Sequence, residues 1–250
     1  MDDDIVYLPK DFGRRLYNKA IAEKNTFSWW SPLVVNNAIC TWLLKYHGRV
    51  HIGNRVSAQA GCVYGWRSPM FAKALHDVFL QAAAANKLSA FQVPDFAISL
   101  SRFSINCLGF FGDFVASFTE EEFCPLGVDD EEWVSAVLPS RAGKPGRIAG
   151  DIVIGHFSYF TQERGLLGSD VLNKYYQLAG LPMDPSYSHV PKETFEAGLR
   201  RWLINRVLGG EEKPDIRLLE GSEFPAAPRS KIPTAIFDPN LLQETERTVP

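Results

Sequence analysis

The sequence lacks any run of 18 uncharged apolar residues, so no transmembrane helix and no membrane partner are expected. The first residues, Met1-Asp-Asp-Asp4, have neither the basic nor the apolar region of a secretory signal. Cysteine is scarce: Cys40, Cys62, Cys107 and Cys124 are widely spaced and form no C-x-x-C pair. Free thiols in a reducing compartment are therefore favoured over disulfides or a metal site.

Local signatures of enzymes are absent as well. There is no phosphate-binding P-loop, no dinucleotide fingerprint after a strand, no H-E-x-x-H zinc motif and no G-x-S-x-G elbow. His47 and His51 have the spacing of a metal-binding pair, but Gly48 interrupts a helix between them. His156, between a glycine and a phenylalanine, is interpreted as a core residue. We therefore predict no enzymatic activity, no catalytic residue, no metal ion and no cofactor.

The apolar segment from Phe96 to Gly112 contains a single charge, Arg102. Its many apolar side chains predict a buried helix over 96–118. A guanidinium on such a segment needs an anion, because an unpaired buried charge costs several kcal/mol. That anion is either a carboxylate of the protein, with Asp95 and Asp113 as candidates, or a phosphate of a ligand.

The net charge of −3 hides an uneven distribution. From Ile5 to Lys87, eleven basic residues stand against three acidic ones, whereas Asp113 to Glu132 holds eight acids and no base. Residues 141–206 are basic again, and the last forty residues are acidic. Two interpretations fit this pattern: a polyanion-binding surface whose acidic parts face elsewhere, or ordinary solvated helix faces.

Helix signals dominate the hydrophobic pattern, and only 51–64 reads as extended. Ser68-Pro69 is a strong helix start, and Thr119 with Glu122 forms a candidate capping box. Helices are predicted over 10–24, 33–46, from Pro69 onward, and over 96–118, 148–163, 169–179 and 192–208, with a loop over 139–147.

These elements predict a mostly α-helical fold, with a two-lobed helical body and extended N- and C-terminal arms. The predicted units are an N-terminal arm or helix (1–30), an N-terminal helical lobe (31–135), a C-terminal helical lobe (136–210) and an extended proline-rich tail (211–250). The tail carries few apolar residues, so it is expected to be disordered or to dock on another surface.

Three groups of residues have the chemistry of RNA contacts. Tyr64-Gly-Trp-Arg-Ser68 combines an aromatic face with a cation before a helix start, although an ordinary loop with a buried tryptophan has the same pattern. Arg102 is the second group. The third is a basic loop and the segment that follows it, with Arg141, Lys144, Arg147 and Arg164. The candidate RNA-binding residues are Arg49, Arg55, Trp66, Arg67, Lys73, Arg102, Arg141, Lys144, Arg147 and Arg164.

Three short motifs follow one another along the chain: Leu43-Leu-Lys-Tyr-His-Gly48, Gly65-Trp-Arg67 and, after a helix, Ile98-Ser-Leu-Ser-Arg102. In this order they resemble motifs of the all-helical nucleoproteins of phlebovirus-like negative-strand RNA viruses. Ser99-Leu-Ser-Arg-Phe103 is also similar to an element in the coat proteins of flexible filamentous plant viruses, which share that fold. The resemblance extends over residues 10–208.

This resemblance implies an RNA groove between two helical lobes and terminal arms that bind neighbouring protomers. It also implies that Arg67 and Arg102 contact RNA in that groove. The chain departs from the family where Trp66 occupies the position of the motif's arginine, and where Asn106 replaces an acidic residue.

The sequence therefore predicts a non-enzymatic, RNA-encapsidating nucleoprotein or coat protein of the virion and the host cytoplasm. It would bind single-stranded RNA without sequence preference through a basic groove, and form a homo-oligomeric filament or ring through its terminal arms. One alternative is a cytosolic helical enzyme or small-ligand-binding protein, with Arg102 and His156 facing a closed pocket. Another is a helical scaffold or regulator whose tail binds a partner.

Overall fold

A five-stranded mixed sheet, and not a helical bundle, organises the residues that position the candidate site. The computed structural model describes residues 1–53, 56–60, 62–98, 101–123, 125–182 and 214–219. Helices cover this sheet, and a second sheet of two strands lies apart from it, so the fold is α/β. The predicted mostly α-helical fold, with its two-lobed helical body, is therefore wrong, and most of the predicted C-terminal arm lies outside the described residues.

The seven strands and ten α-helices of the described residues follow in chain order. The strands are β1 (Ile5–Tyr7), β2 (Trp29–Val35), β3 (Val50–Ile52), β4 (Phe96–Ile98), β5 (Gly109–Phe110), β6 (Gly146–His156) and β7 (Ile216–Leu218). The helices are α1 (Phe12–Ala22), α2 (Ala38–Tyr46), α3 (Val63–Arg67), α4 (Pro69–Ala84), α5 (Gly112–Val115), α6 (Glu120–Phe123), α7 (Asp130–Glu132), α8 (Leu138–Ala142), α9 (Glu163–Leu167) and α10 (Val171–Ala179). Short 3₁₀ turns cover Leu88–Phe91 and Ile105–Cys107, and a π-helical turn, Trp133–Val137, joins α7 to α8. Within the described part of the chain, no helix has the length and apolar character needed to cross a bilayer.

The long strand β6 lies at the centre of the large sheet. One edge of β6 pairs in parallel with β2, and its other edge pairs antiparallel with β1 and β4. The far edge of β2 pairs antiparallel with β5. One sheet therefore joins strands from residues 1–30, 31–135 and 136–210, which the sequence assigned to an arm and two separate lobes.

The predicted helix over 33–46 is confirmed in its larger part, α2, but its first three residues are the end of strand β2. All seven residues of β2 are buried, and all but Ser31 are apolar, so the strand lacks the alternation of a half-exposed strand. The chain then turns at Asn36, whose φ is +67°, a conformation that asparagine tolerates better than most residues. The Asn37 side chain caps α2 by accepting from the amides of Ile39 and Cys40 at 3.1 Å each.

Two further predicted helices are wrong for the same physical reason. Residues 148–163 were expected to be helical, but most of this segment belongs to β6, which is buried on both faces of the sheet. Residues 96–118 contain β4, a 3₁₀ turn, β5 and α5 instead of one buried helix. Short apolar runs of this kind have no period that separates a strand from a helix.

Elements with local capping signals are confirmed. Ser68 caps α4 by accepting from the Phe71 amide at 3.1 Å, and Pro69 occupies the first helical position. Thr119 and Glu122 form the reciprocal bonds of a capping box, 2.9 and 3.2 Å long. α1 and α10 lie within 10–24 and 169–179 as predicted, whereas the predicted helix 192–208 lies outside the described residues.

The loop predicted over 139–147 is short, because α8 covers its start and β6 begins at Gly146. β7, which belongs to the predicted tail, pairs with β3. Within the predicted extended stretch 51–64, β3 accounts for the only strand residues among those described. Cys40, Cys62 and Cys107 are buried free thiols, as predicted.

A bulge in β6 accommodates a proline in the neighbouring central strand. Pro32 pairs with Ala149, but the next residue of β2 pairs with Val153, so β6 contains three extra residues at this point. A proline has no amide to donate to the ladder and is tolerated in a sheet at such bulges. Gly150 is the first residue of the bulge. A Cβ atom on Gly150 would lie 2.2 Å from the Val93 carbonyl oxygen.

Replacing Gly150 with alanine is expected to lower the free energy of unfolding by about 1–3 kcal/mol, because the new methyl group overlaps backbone atoms that cannot move independently. Urea unfolding followed by tryptophan fluorescence measures the change. Gly13→Ala is the matched control: its Cβ meets no atom within 4 Å, and alanine favours helix α1. Equal stability of the Gly150→Ala protein and the wild type would contradict this account of the bulge.

Candidate functional site

Polar side chains gather where the two parallel strands end. Because β2 and β6 run in the same direction, their carboxyl ends meet at one edge of the sheet, the usual place for a ligand site in α/β folds. Asn36 and Asn37 follow β2 directly, and His156 is the last residue of β6. All three are buried, so their polar groups need partners inside the protein.

His156 is the centre of this buried polar cluster and is 2% exposed. Its Nδ1 atom lies 3.4 Å from the backbone oxygen of Asn36. Its Nε2 atom lies 3.1 Å from a carboxylate oxygen of Asp4 and 3.2 Å from the side-chain nitrogen of Asn106. The ring therefore connects the end of β2, the start of the chain and the 3₁₀ turn at 105–107.

Asn106 links the histidine to a neighbouring cavity. Its side-chain oxygen accepts from the side-chain amide of Asn37 at 3.1 Å and from the hydroxyl of Tyr159 at 3.4 Å. Its side-chain nitrogen donates to Asp2 at 3.2 Å. These partners fix the orientation of the Asn106 amide, because both of its ends face groups of the opposite hydrogen-bonding type.

The cavity next to this network has a volume of about 160 Å³. Its lining combines three aromatic rings with an arginine–glutamate pair, and consists of Ala60, Trp66, Arg102, Ser104, Glu131, Tyr159 and Phe160. The ring centroids of Trp66 and Phe160 lie 5.7 Å apart, and Phe160 is 80% exposed at the opening. Desolvation raises the pKa of Tyr159 well above its ordinary value, so this hydroxyl stays protonated and can donate.

Two larger clefts have simpler walls. One, of about 480 Å³, lies between α4 and α10, and the other, of about 370 Å³, lies between α1 and residues 109–112. In the first cleft the charged residues Asp77 and Lys174 are paired with each other at 2.6 Å. The second cleft is lined by four aromatic residues, Tyr17, Trp30, Phe110 and Phe111, but by no charged side chain. Of these three cavities, the smaller one at the sheet edge therefore combines aromatic rings with a charged pair.

Trp66 is held in this cavity by the close approach of α3 to the start of α2. A Cβ atom on Gly65 would lie 2.6 Å from the Cβ of Ala38, so only glycine allows this approach. The side chain of Gln162 donates to the Gly65 backbone oxygen at 3.3 Å, and the Thr161 hydroxyl donates to that of Trp66. Residues 64–68, predicted as a loop, thus carry the helix α3.

The anion that Arg102 requires is a carboxylate of the protein. Its Nε atom lies 2.6 Å from Glu131, and one of its terminal nitrogens lies 2.8 Å from Asp129. The hydrogen bond that Arg102 donates to Glu131 raises the pKa of the guanidinium. The two candidates from the sequence were different: Asp95 binds Lys19 at 2.7 Å instead, and Asp113 lies in the first turn of α5.

Arg102 also lies nearer to solvent than the sequence indicated. Its side chain is 45% exposed, whereas a buried helical position was expected. At this exposure each ion pair contributes only about 0–1 kcal/mol to stability, so the pairs orient the guanidinium more than they stabilise the fold. The arginine and its glutamate together present donors and an acceptor on one wall of the cavity.

Asn36 lies at the same edge of the sheet in a strained backbone conformation. Besides its positive φ, its side-chain nitrogen donates to the Phe157 backbone oxygen and to Gln162, both at 3.0 Å. Its side-chain oxygen is buried and has no hydrogen-bond partner among the described residues. An unsatisfied buried acceptor costs about 1–3 kcal/mol, and such costs concentrate at functional sites.

Of the predicted RNA-binding residues, the structure brings Trp66, Arg67 and Arg102 to this cavity or its rim. The guanidinium carbon of Arg67 lies 4.6 Å from the centroid of the Trp66 ring, and its side chain is exposed. This contact is a cation–π pair on the outer side of the tryptophan.

The other predicted contacts lie in different surroundings. Lys73, on α4, is paired with Asp77 at 2.6 Å and with Asp170 at 3.1 Å. Arg141 lies 4.7 Å from the Trp133 ring. Arg147, on β6, lies over Phe27 at 4.7 Å and 3.5 Å from Glu23. Arg49 precedes β3 and Lys144 precedes β6, both half-buried; Arg55 lies outside the described residues, as does the side chain of Arg164, whose backbone belongs to α9.

Sequence reasoning missed most of the polar cluster. His156 was interpreted as a core residue, which its burial confirms, but its polar partners were not recognised. Asn36, Tyr159 and the N-terminal carboxylates were not considered, although two asparagines directly after an apolar run are a usable signal for the end of a buried strand. Comparison of the chain with models of protein families, with curated proteins and with solved structures finds no match.

A second buried histidine supports the backbone next to the cluster. The Nε2 atom of His76 lies 2.9 Å from the Phe157 backbone oxygen, which only accepts, so Nε2 carries the proton. Nδ1 then accepts from the Tyr175 hydroxyl at 2.9 Å. Burial lowers the pKa of His76 to about 4, which keeps the ring neutral in the folded protein.

His76 is expected to make folding stability depend on pH. In the unfolded chain its pKa returns to about 6.5, so between about pH 6.5 and pH 4 the unfolded state binds more protons. The stabilisation by neutral His76 is therefore present above pH 6.5 and is lost as the pH falls towards 4, by about 3 kcal/mol in all. Urea unfolding across this range should show a steeper decline for the wild type than for His76→Gln; parallel curves would refute the assignment.

Proposed function

We propose that this chain binds a small planar ligand with a polar edge, of the nucleobase or nucleoside type, in the cavity at the carboxyl edge of the sheet. The observation that carries the proposal is the convergence of the Trp66, Tyr159 and Phe160 rings with the Arg102–Glu131 pair in one opening. Aromatic faces favour a planar partner, and the charged pair favours a hydrogen-bonding edge.

The size of the cavity limits the ligand. Its volume of about 160 Å³ is below the range of about 300–1,000 Å³ that is usual for drug-sized ligands. A single ring system with few substituents suits this volume, and the rest of a larger ligand would extend past Phe160 into solvent. The exposure of Phe160 at the opening is consistent with such a partly enclosed ligand.

The charges around the cavity favour a neutral ligand over a polyanion. Glu131 and Asp129 offset the charge of Arg102, and the acidic helix α7 lies at the same wall. A phosphate chain would have to compete with these carboxylates for the guanidinium. A neutral heteroaromatic edge needs no such displacement, because it offers acceptors to Arg102 and donors to Glu131 while the pair stays in place.

Ligand binding is expected to depend on the two rings that flank the opening. In a titration with a set of purine and pyrimidine nucleosides, followed by ligand-observed NMR, Trp66→Ala and Phe160→Ala should each weaken binding about fivefold or more, since stacking on one ring contributes about 1–3 kcal/mol. Tyr17→Ala, which removes an exposed aromatic ring from α1, is the control and should bind like the wild type. Absence of saturable binding at millimolar nucleoside would end the proposal.

A second candidate is the RNA-coating function predicted from the sequence. It is favoured by one observation: Arg67 lies over the outer face of Trp66 beside the exposed ring of Phe160, an arrangement that suits an unstacked base and its phosphate. Self-association of the chain along the RNA belongs to the same candidate and is also a proposal.

Charge reversal at Arg67 separates the two candidates. If the chain coats RNA, Arg67→Glu should weaken binding to a single-stranded homopolymer and reduce the slope of log affinity against log salt by about 1 or more. Arg14→Glu, the same change at an exposed position of α1, is the matched control. Equal RNA binding by both variants, together with unchanged nucleoside binding, would favour the small-ligand function.

A further inference from the structure

Three metal-ligand side chains lie next to one another behind the cavity. Asp2, Asp4 and His156 each offer one ligand atom, and these atoms all lie within 4.8 Å of one another. Ligand atoms held at about 2.0–2.2 Å by one ion lie within roughly 4 Å of each other, so a small closure of the cluster is sufficient. The separation of 3.1 Å between His156 and Asp4 already meets this requirement.

The second ring nitrogen determines what His156 offers to this cluster. Its Nδ1 atom faces the backbone oxygen of Asn36, which can only accept, so a ring that binds a metal ion through Nε2 can place its proton on Nδ1 and donate it there. Nε2 then directs a lone pair into the space between the Asp4 carboxylate, 3.1 Å away, and the side-chain nitrogen of Asn106, 3.2 Å away, which donates to it. A cation placed between Nε2 and the carboxylate is attracted by both, and metal-binding histidines typically donate a hydrogen bond from the other ring nitrogen.

Hydrogen bonds fix the positions of the Asp2 and Asp4 carboxylates. The backbone amide of Asp2 donates to the Asn106 backbone oxygen at 2.8 Å, and its side chain accepts from the same residue. The backbone oxygen of Asp4 accepts from the Phe157 amide at 2.9 Å, while its side chain accepts from the Ser158 amide at 3.3 Å. Both residues are thus fixed by backbone and side-chain bonds around the buried histidine.

We propose that Asp2, Asp4 and His156 bind one divalent first-row transition-metal ion, with Asn106 orienting the ligands. Two carboxylates with one imidazole match Mn²⁺ or Zn²⁺ better than Mg²⁺ or Ca²⁺, which prefer oxygen ligands alone. This metal site, which the sequence did not predict, goes beyond the proposed ligand binding, because none of its three ligands lines the cavity. Tyr159 joins the two through its bond to Asn106.

Calorimetric titration of the EDTA-treated protein with Mn²⁺ and with Zn²⁺ tests the site. One ion should bind per chain, and the thermal midpoint should rise with metal concentration. Asp4→Asn and His156→Gln should each weaken Mn²⁺ binding at least tenfold. Asp3→Asn removes the same charge from an exposed neighbouring position and should bind Mn²⁺ as the wild type does.

Substitution with Co²⁺ reports on the metal ligands through its visible absorption spectrum. Co²⁺ should give a visible absorption band in the wild type that His156→Gln loses, since the imidazole nitrogen leaves the coordination shell. If circular dichroism shows that His156→Gln does not fold, the comparison of Asp4→Asn with Asp3→Asn decides, because both positions lie at the start of the chain.

Three results would overturn the site: no saturable binding of Mn²⁺ or Zn²⁺ at millimolar concentration, an equal loss in Asp3→Asn, or folded His156→Gln that binds as tightly as the wild type. The first of these would leave the contact between His156 and Asp4 with a structural role only. Nucleoside binding measured in the presence of EDTA tests the cavity separately, so each proposal can fail without the other.

Discussion

The parallel pairing of β2 with β6 is the constraint on which the rest of the structure depends. Because both strands end at the same edge, Asn36, Asn37 and His156 come together there although the strands lie more than a hundred positions apart in the chain. The side chains on both faces of this pair are buried, which places it in the core of the fold. The buried polar network and the aromatic cavity are consequences of strand direction, not of a local motif.

The elements that the sequence predicted correctly depend on neighbours a few positions away. The caps at Ser68 and Thr119 use amides three residues further on, so their signals are complete within a short window. No short stretch of sequence identifies β2 and β6 as strands, because burial on both faces removes the alternation of polar and apolar residues that marks a strand. The prediction of helix over the last three residues of β2 and over most of β6, and the mostly α-helical fold class that followed, failed for this reason.

The candidate site was predicted in part. Trp66 and Arg102 were named from their residue types, and they do line one cavity. The acidic segment was expected to be a solvated face, yet it supplies Asp129 and Glu131 to Arg102, because a guanidinium in the folded chain takes the nearest carboxylates. The cluster around His156 could not be read from the sequence, since its members are single polar residues that only the folded sheet brings together.

The position of β6 as the central strand also affects how the chain emerges from a ribosome. β2 is complete at residue 35, but its parallel partner is complete only at residue 156. At about 5–20 residues per second, a seven-residue apolar strand with an unpaired edge waits on the order of ten seconds for that partner. During this interval the unpaired edge of β2 can pair with other chains, which is the route to aggregation that completion of β6 closes.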